Sequence, residues 1–248
     1  MGKSSINYLD YVWNPYTSRC RKVSAGCKFC YAEAMTDRYA GAGTFRGTPA
    51  LRYTADKLLA DIPAGQVVGV NFLSDTWHED VPLATIQYVH SRIQERPDCI
   101  FVYTTKRHQR LAVESHKVAM PFNLWVGVSV EDAANVDRIT SLRHSFARNK
   151  WVSFEPLIGG ISYIPLTGID WIVTGAESGS QRRPFDPEWA KRLGEDAHRA
   201  GATWYHKQGS HQQPGRNAKI SGQLYQDVPA AFRALSQQTA PVEQPRLF

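Results

Sequence analysis

Short apolar runs recur along the chain, each followed by a polar stretch long enough for a helix. Residues 67–73 (VVGVNFL) read as a buried strand and 83–94 as the helix behind it. Residues 99–104 (CIFVYT) form the next expected strand, with a helix from about Arg107. A strand over 124–130 (LWVGVSV) precedes a helix over 132–142. Strands at 151–154 and 171–174, a helix at 187–200 and a last strand at 203–207 complete the pattern. The runs lack the strict alternation of a one-sided antiparallel sheet. They therefore predict a parallel sheet with helices outside, either a barrel or a doubly wound sheet. There is no internal repeat. The chain turns polar and Pro-containing from about Ser236, so one domain over 1–235 and a flexible tail over 236–248 are expected.

Each expected strand ends in polar residues: Ser74 and Asp75 with His78 and Glu79; Thr105, Lys106 and Arg107; Ser129 and Glu131; Glu155; Glu177 and Ser178; Lys207 and Gln208. Parallel α/β folds place their sites at the carboxyl ends of the strands, so these positions form an expected site rim. Any one of them serves equally well as a helix cap, Ser129 among them.

The 248 residues carry 42% hydrophobic and 21% charged side chains, an ordinary globular composition. No apolar run approaches the roughly 18 residues of a membrane span, and the amino-terminal segment has no signal-peptide core, so a cytoplasmic protein is expected. The net charge of +6 is compatible with an anionic partner. Two stretches lack acids altogether. Residues 11–32 hold Arg19, Arg21, Lys22 and Lys28; residues 198–226 hold Arg199, Lys207, Arg216, Lys219 and three histidines.

Three of the four cysteines fall within eleven residues, Cys20, Cys27 and Cys30, while Cys99 sits in an expected buried strand. Clustered thiols in a chain without a disulfide framework point to a metal. Two chemistries suit three thiolates. One is zinc with a fourth ligand, for which His78 or His206 is a candidate. The other is a [4Fe–4S] cluster with one iron open to a small molecule. The glycines at 41, 43 and 47 fit neither phosphate-loop fingerprint. Trp77, Tyr205 and His206, at strand ends, are the aromatic candidates for stacking on bases.

The segment Cys27-Lys28-Phe29-Cys30-Tyr31 resembles the cluster loop of radical S-adenosylmethionine (radical SAM) enzymes, although six residues rather than the common three separate the first two cysteines. A longer resemblance is to the phage Gp37/Gp68-like family with a three-cysteine motif (DUF5131-type). It is carried by Trp13-Asn14-Pro15, the segment from Val23 through Glu33, Ser74 through Pro82, and Thr105-Lys106-Arg107. It continues through Trp125 to Glu131, Ser153 to Leu157, Gly175 to Gly179, and Lys207-Gln208.

The resemblance implies a compact radical SAM relative. It implies a partial (β/α)6 TIM-like barrel with the cluster at the top of the first strand. Cys20, Cys27 and Cys30 would hold a [4Fe–4S] cluster that binds S-adenosyl-L-methionine and, with an external electron donor, generates a 5′-deoxyadenosyl radical. By analogy Ser74 and Asp75 face the methionine amine, Lys106 or Ser129 its carboxylate, and Glu131 or Glu155 the ribose. Glu155, Glu177, Lys207 and His78 are the candidate catalytic residues. The expected activity is modification, rearrangement or repair of a nucleic-acid base, DNA above all, in a bacterial or phage-infected cell. Arg182, Arg183, Lys207 and Arg216 are the candidate nucleic-acid contacts. The alternatives are a radical SAM enzyme for a peptide or metabolite, and a non-enzymatic metal-stabilised nucleic-acid-binding protein. The residues Gln244, Leu247 and Phe248 resemble the short peptide that docks repair proteins on the bacterial sliding clamp.

Overall fold

The apolar runs fold into one sheet of seven parallel strands whose spatial order is the order of the chain. These are β1 (Tyr11–Trp13), β2 (Val67–Val70), β3 (Ile100–Thr105), β4 (Leu124–Ser129), β5 (Asn149–Phe154), β6 (Trp171–Gly175) and β7 (Thr203–Gln208). The sheet curls strongly into a half-barrel. This computed structural model describes residues 3–17, 19–162 and 164–238.

The fold is thus α/β with a parallel sheet, as the pattern required, but with seven strands where the apolar runs gave six. The additional strand is β1, three residues between Asp10 and Asn14-Pro15, too short to register as a run. It is fixed by pairing Tyr11 with Val68 and by Asp10 Oδ2, which accepts from the Val67 amide at 2.8 Å. Strand β2 stops at Val70, earlier than expected. Asn71 adopts φ 56°, and its side-chain amide donates to Thr76 Oγ1 at 2.9 Å, which turns the chain.

Among the described residues seven α-helices accompany the sheet: α1 (Tyr31–Ala40), α2 (Ala55–Ala60), α3 (Leu83–Gln94), α4 (His108–Glu114), α5 (Asp137–His144), α6 (Pro187–Arg199) and α7 (Ala230–Gln238). Helix α6 shows why the sequence starts it there: the Asp186 carboxylate accepts from the Glu188 amide at 2.9 Å, and Pro187 occupies the first turn. The expected helix over 132–142 is split, because Asp132 caps a 3-10 turn at Ala133–Asn135 ahead of α5. Between β5 and β6 the described residues form no helix; Leu157, Ile161, Ile164, Leu166 and Ile169 bury in its place. Helix α7 carries described backbone to Gln238, past the expected domain end. Gln244, Leu247 and Phe248 lie outside the described residues.

Side chains alternate across the pleat and sort into two cores. On one face Val68, Phe101, Tyr103, Val126, Val152 and Ile172 pack with Ile86, Val89 and Ile93 of α3, Leu111 of α4, Leu142 of α5 and Leu193 of α6. The inner face buries an aromatic cluster of Trp125, Trp151, Trp171 and Tyr205. Trp151 stacks on Trp171 at 4.9 Å, and the Tyr8 ring meets Trp171 and Tyr205 edge-on at 5.3 and 5.5 Å. Phe232 of α7 closes the cluster against Trp125 and Trp171. A ring pair of this kind contributes about 0.5–1.5 kcal/mol beyond its buried area. Gly127 is required here: a Cβ would stand 2.6 Å from Trp151 Nε1, which donates to the Tyr103 carbonyl at 3.0 Å.

Two residues further along the same inner face, apolar gives way to polar. Val102 is followed by Thr104 and Lys106, Trp125 by Gly127 and Ser129, Trp151 by Ser153 and Glu155, and Tyr205 by Lys207. No helix among the described residues is long and apolar enough to cross a membrane.

Candidate active site

Those polar ends open into a cavity of about 190 Å³. Cys20, Cys27 and Cys30 line one side of it; Ser74, Asp75, Lys106, Ser129, Ser153, Glu155 and Lys207 line the rest. The three cysteines lie on the connection after β1, and Cys30 stands at the N-terminus of α1. Cys99 is buried in the outer core, within 3.4 Å of the Pro63 carbonyl and away from the cavity.

The thiols sit in a protected but cation-rich place. Burial pushes the Cys20 thiol up to about 11; the Asp75 charge adds to this, and Arg107 works against it. Burial also pushes the Cys30 thiol up, opposed by the amides of Glu33 and Ala32 at the start of α1. Among the described residues no three His, Cys, Asp or Glu side chains are grouped for one metal ion. His78 and His206, the expected fourth ligands for zinc, are fully buried and do not line the cavity. A cubane attaches each thiolate to its own iron, so it needs three sulfurs around one space with donors toward them. The three cysteines line one space together with Lys106 and Arg107, and Arg107 Nη1 stands 3.3 Å from Cys20 Sγ.

Arg107, on the expected rim but given no role of its own, organises this wall. Its Nη1 lies 3.3 Å from Cys20 Sγ and 3.2 Å from Asp75 Oδ2, Nη2 donates to the Arg21 carbonyl at 3.0 Å, and Nε donates to Glu79 Oε2 at 3.1 Å. Burial opposes its charge, and Asp75, Cys20 and Glu79 outweigh burial. In sequence Arg107 was one of two adjacent cations, with nothing to separate it from Lys106. Asp75 has a different role from the one expected. Its oxygens accept from the Trp77 amide, Thr105 Oγ1, the Lys106 amide and Arg107 at 2.9, 2.6, 3.0 and 3.2 Å. A carboxylate offers about four acceptor positions, so all are used and none is left for a ligand amine.

Two more carboxylates prove to be fasteners of the cysteine loop rather than cavity groups. Glu131 is wholly buried and does not line the cavity, which removes it from the ribose. It accepts from Ser24 Oγ at 2.6 Å and Arg138 Nη1 at 2.9 Å, and pairs with Lys106 Nζ at 3.4 Å. Gly26 lies against it so closely that a Cβ would overlap the Glu131 side chain. Glu177 also stays outside the cavity. It binds Arg183 through Nε at 2.9 Å and Nη2 at 2.6 Å, and Arg183 Nη1 donates to the Ala25 carbonyl at 2.8 Å. Arg183 is thereby committed to the loop instead of facing a phosphate.

At the far wall Glu155 joins Lys207 Nζ at 3.0 Å and accepts from the Tyr8 hydroxyl at 3.1 Å. Burial first, then the Glu155 charge, holds the Tyr8 phenol well above its ordinary range, so it remains a donor. Lys207 is therefore a cavity residue, not a surface contact. His78 is outside the cavity, its Nδ1 accepting from the Asp80 amide at 3.1 Å, which argues against a catalytic part. Arg182 and Arg216 are exposed elsewhere. The three candidate stacking residues are all buried: Trp77 donates to Tyr103 Oη at 3.1 Å, Tyr205 packs on Tyr8, and His206 lies parallel to Phe185.

Fold and cavity together define an α/β half-barrel protein with a thiol-walled, polar-floored site at the carboxyl ends of its strands. The chain belongs to a protein family of unknown function (DUF5131), whose model matches residues 3–232. No match is found among curated proteins or among solved structures.

Proposed function

We propose that this protein is a radical SAM enzyme that acts on a nucleic-acid base. The supporting observation is that three thiols separated by six and two residues line one cavity together with the polar ends of five strands. Cys20, Cys27 and Cys30 would hold a [4Fe–4S] cluster. When bound, it would supply the electron that cleaves S-adenosylmethionine to a 5′-deoxyadenosyl radical. The half-barrel is then read as a radical SAM barrel with one additional strand.

The chain's own residues bind, orient and shield. Lys106 and Ser129 offer a cation and a hydroxyl to the methionine carboxylate, and Ser74 a hydroxyl to the amine. Glu155, steadied by Lys207 and Tyr8, accepts from the ribose hydroxyls. Arg107, with Asp75 behind it, donates toward Cys20. An external donor supplies the electron, and the reading places the protein in the cytoplasm of a bacterial or infected cell. The basic balance favours nucleic acid over a free metabolite.

Anaerobic purification tests this. Expected are absorption near 400 nm, iron, and 5′-deoxyadenosine from S-adenosylmethionine under reductant. All three should be lost in Cys20→Ala, Cys27→Ala and Cys30→Ala and retained in Cys99→Ala. Stoichiometric zinc with no iron would instead support the non-enzymatic metal-stabilised reading.

A further inference from the structure

We propose that the groove between α1 and the segment around residues 44–52 is the track for single-stranded nucleic acid leading to the cysteine-walled cavity. The inference deepens the nucleic-acid reading and rests on it.

The groove has a volume of about 360 Å³ and is lined by Arg19, Met35, Thr36, Tyr39, Arg52 and Leu73. Leu73 also lines the cysteine cavity, so the two spaces share a wall. Residues 19–57 carry eight Lys and Arg against three Asp and Glu, nearly the whole excess of a chain whose net charge is +6. The three acids are engaged: Glu33 with Lys22, Asp37 with the Phe45 amide, and Asp56 with the Tyr88 hydroxyl.

Exposed aromatic area accompanies it. Tyr39, in the groove lining, is 79% exposed, and Tyr53, next in the chain to the groove residue Arg52, is fully exposed, while most large apolar side chains are buried. Tyr31, Met35 and Tyr39 follow at four-residue intervals along one face of α1, with Arg38 on the same face. Thr36 lines the groove and is 6% exposed, and its Oγ1 has no hydrogen-bond partner. A buried hydroxyl left open in a groove suits a ligand with polar edges. Cations for phosphates, rings for base faces and a hydroxyl for a base edge are the components of single-strand recognition. Ring stacking needs unpaired bases, so a duplex does not fit this surface.

The test uses the anaerobically prepared full chain and a fluorescent 20-nucleotide single strand, read by anisotropy at 50 mM salt. Wild type should bind, with affinity falling steeply as salt rises. Tyr39→Ser with Tyr53→Ser should weaken binding about tenfold or more, and Arg38→Glu should weaken it and flatten the salt dependence. Iron content should be unchanged in each. Arg182→Glu with Arg216→Glu should bind as wild type does. If only that last pair loses binding, or if duplex binds as well as single strand, the groove assignment is overturned. If the wild type binds no nucleic acid while still cleaving S-adenosylmethionine, the nucleic-acid reading itself fails and a peptide or metabolite substrate replaces it.

Discussion

Arg107 and Cys20 are 87 residues apart in sequence, yet the guanidinium reaches within 3.3 Å of the thiol while Asp75 holds it from the other side. A donor aimed at a ligating sulfur withdraws charge from it, and for an iron–sulfur cluster this raises the reduction potential.

Arg107→Gln should therefore fold, take up less iron on anaerobic reconstitution, and hold the remainder at a lower midpoint potential. Asp75→Asn should shift the potential the other way, because it removes a negative charge that acts on Cys20 and leaves the guanidinium charge less neutralised. Iron analysis and an EPR-monitored redox titration measure both. Unchanged iron and potential in Arg107→Gln would remove Arg107 from the site.

The contact of Gly26 with Glu131 makes a stability prediction. Gly26→Ala forces the new methyl into the carboxylate and should cost about 1–3 kcal/mol in urea unfolding. Glu131→Ala leaves Arg138 and Lys106 facing each other without their anion, at a cost of about 3–5 kcal/mol. In the double variant the overlap is gone, so the total should fall short of the sum of the single costs. Strict additivity would show that the two residues do not press on each other.

Acid should destabilise the fold through two buried histidines. Burial lowers His90 to about 4, against a weaker upward pull from the Ala119 carbonyl, and burial alone lowers His206 to about 4. Near His90 the titratable neighbour is the Tyr103 phenol, a neutral partner at 3.4 Å. The unfolded chain takes up these protons near pH 6.5 and the folded chain only near pH 4. Stability is therefore full above about pH 6.5 and declines as pH falls toward 4, by about 3 kcal/mol for each histidine at most. Urea midpoints at pH 7, 5.5 and 4.5 should show a shallower decline in His90→Gln than in wild type. Parallel declines would refute the assignment.

Tyr8 separates packing from polarity. Tyr8→Phe keeps the ring against Trp171 and Tyr205 and deletes the bond to Glu155, so it should cost only about 1 kcal/mol. Tyr8→Ala should cost about 3–5 kcal/mol. Thermal melts compare the two; similar losses would contradict the packing role.

Much of this was legible in sequence because buried parallel strands are dense apolar runs and their polar ends interrupt them sharply. Ser74, Lys106, Ser129, Glu155 and Lys207 all reach the cavity for that reason. What could not be read were the partners. Glu131 and Glu177 look like Glu155 in sequence, and only the fold shows that Arg138 and Arg183 occupy them. Strand β1 was missed because its stability comes from pairing with β2, not from its own three residues. The aromatic candidates failed for the converse reason: a tryptophan at a strand end reads the same whether it faces solvent or, like Trp77, the core.

Because spatial order follows chain order, β1 and β7 are the two outer edges of the sheet. The cavity takes Cys20 from the connection after one edge and Lys207 from the other. No partial sheet contains both. Occupation of the site is thus a census of the whole chain: a ligand that engages both walls selects completely assembled molecules and leaves truncated or half-zipped ones unrecognised.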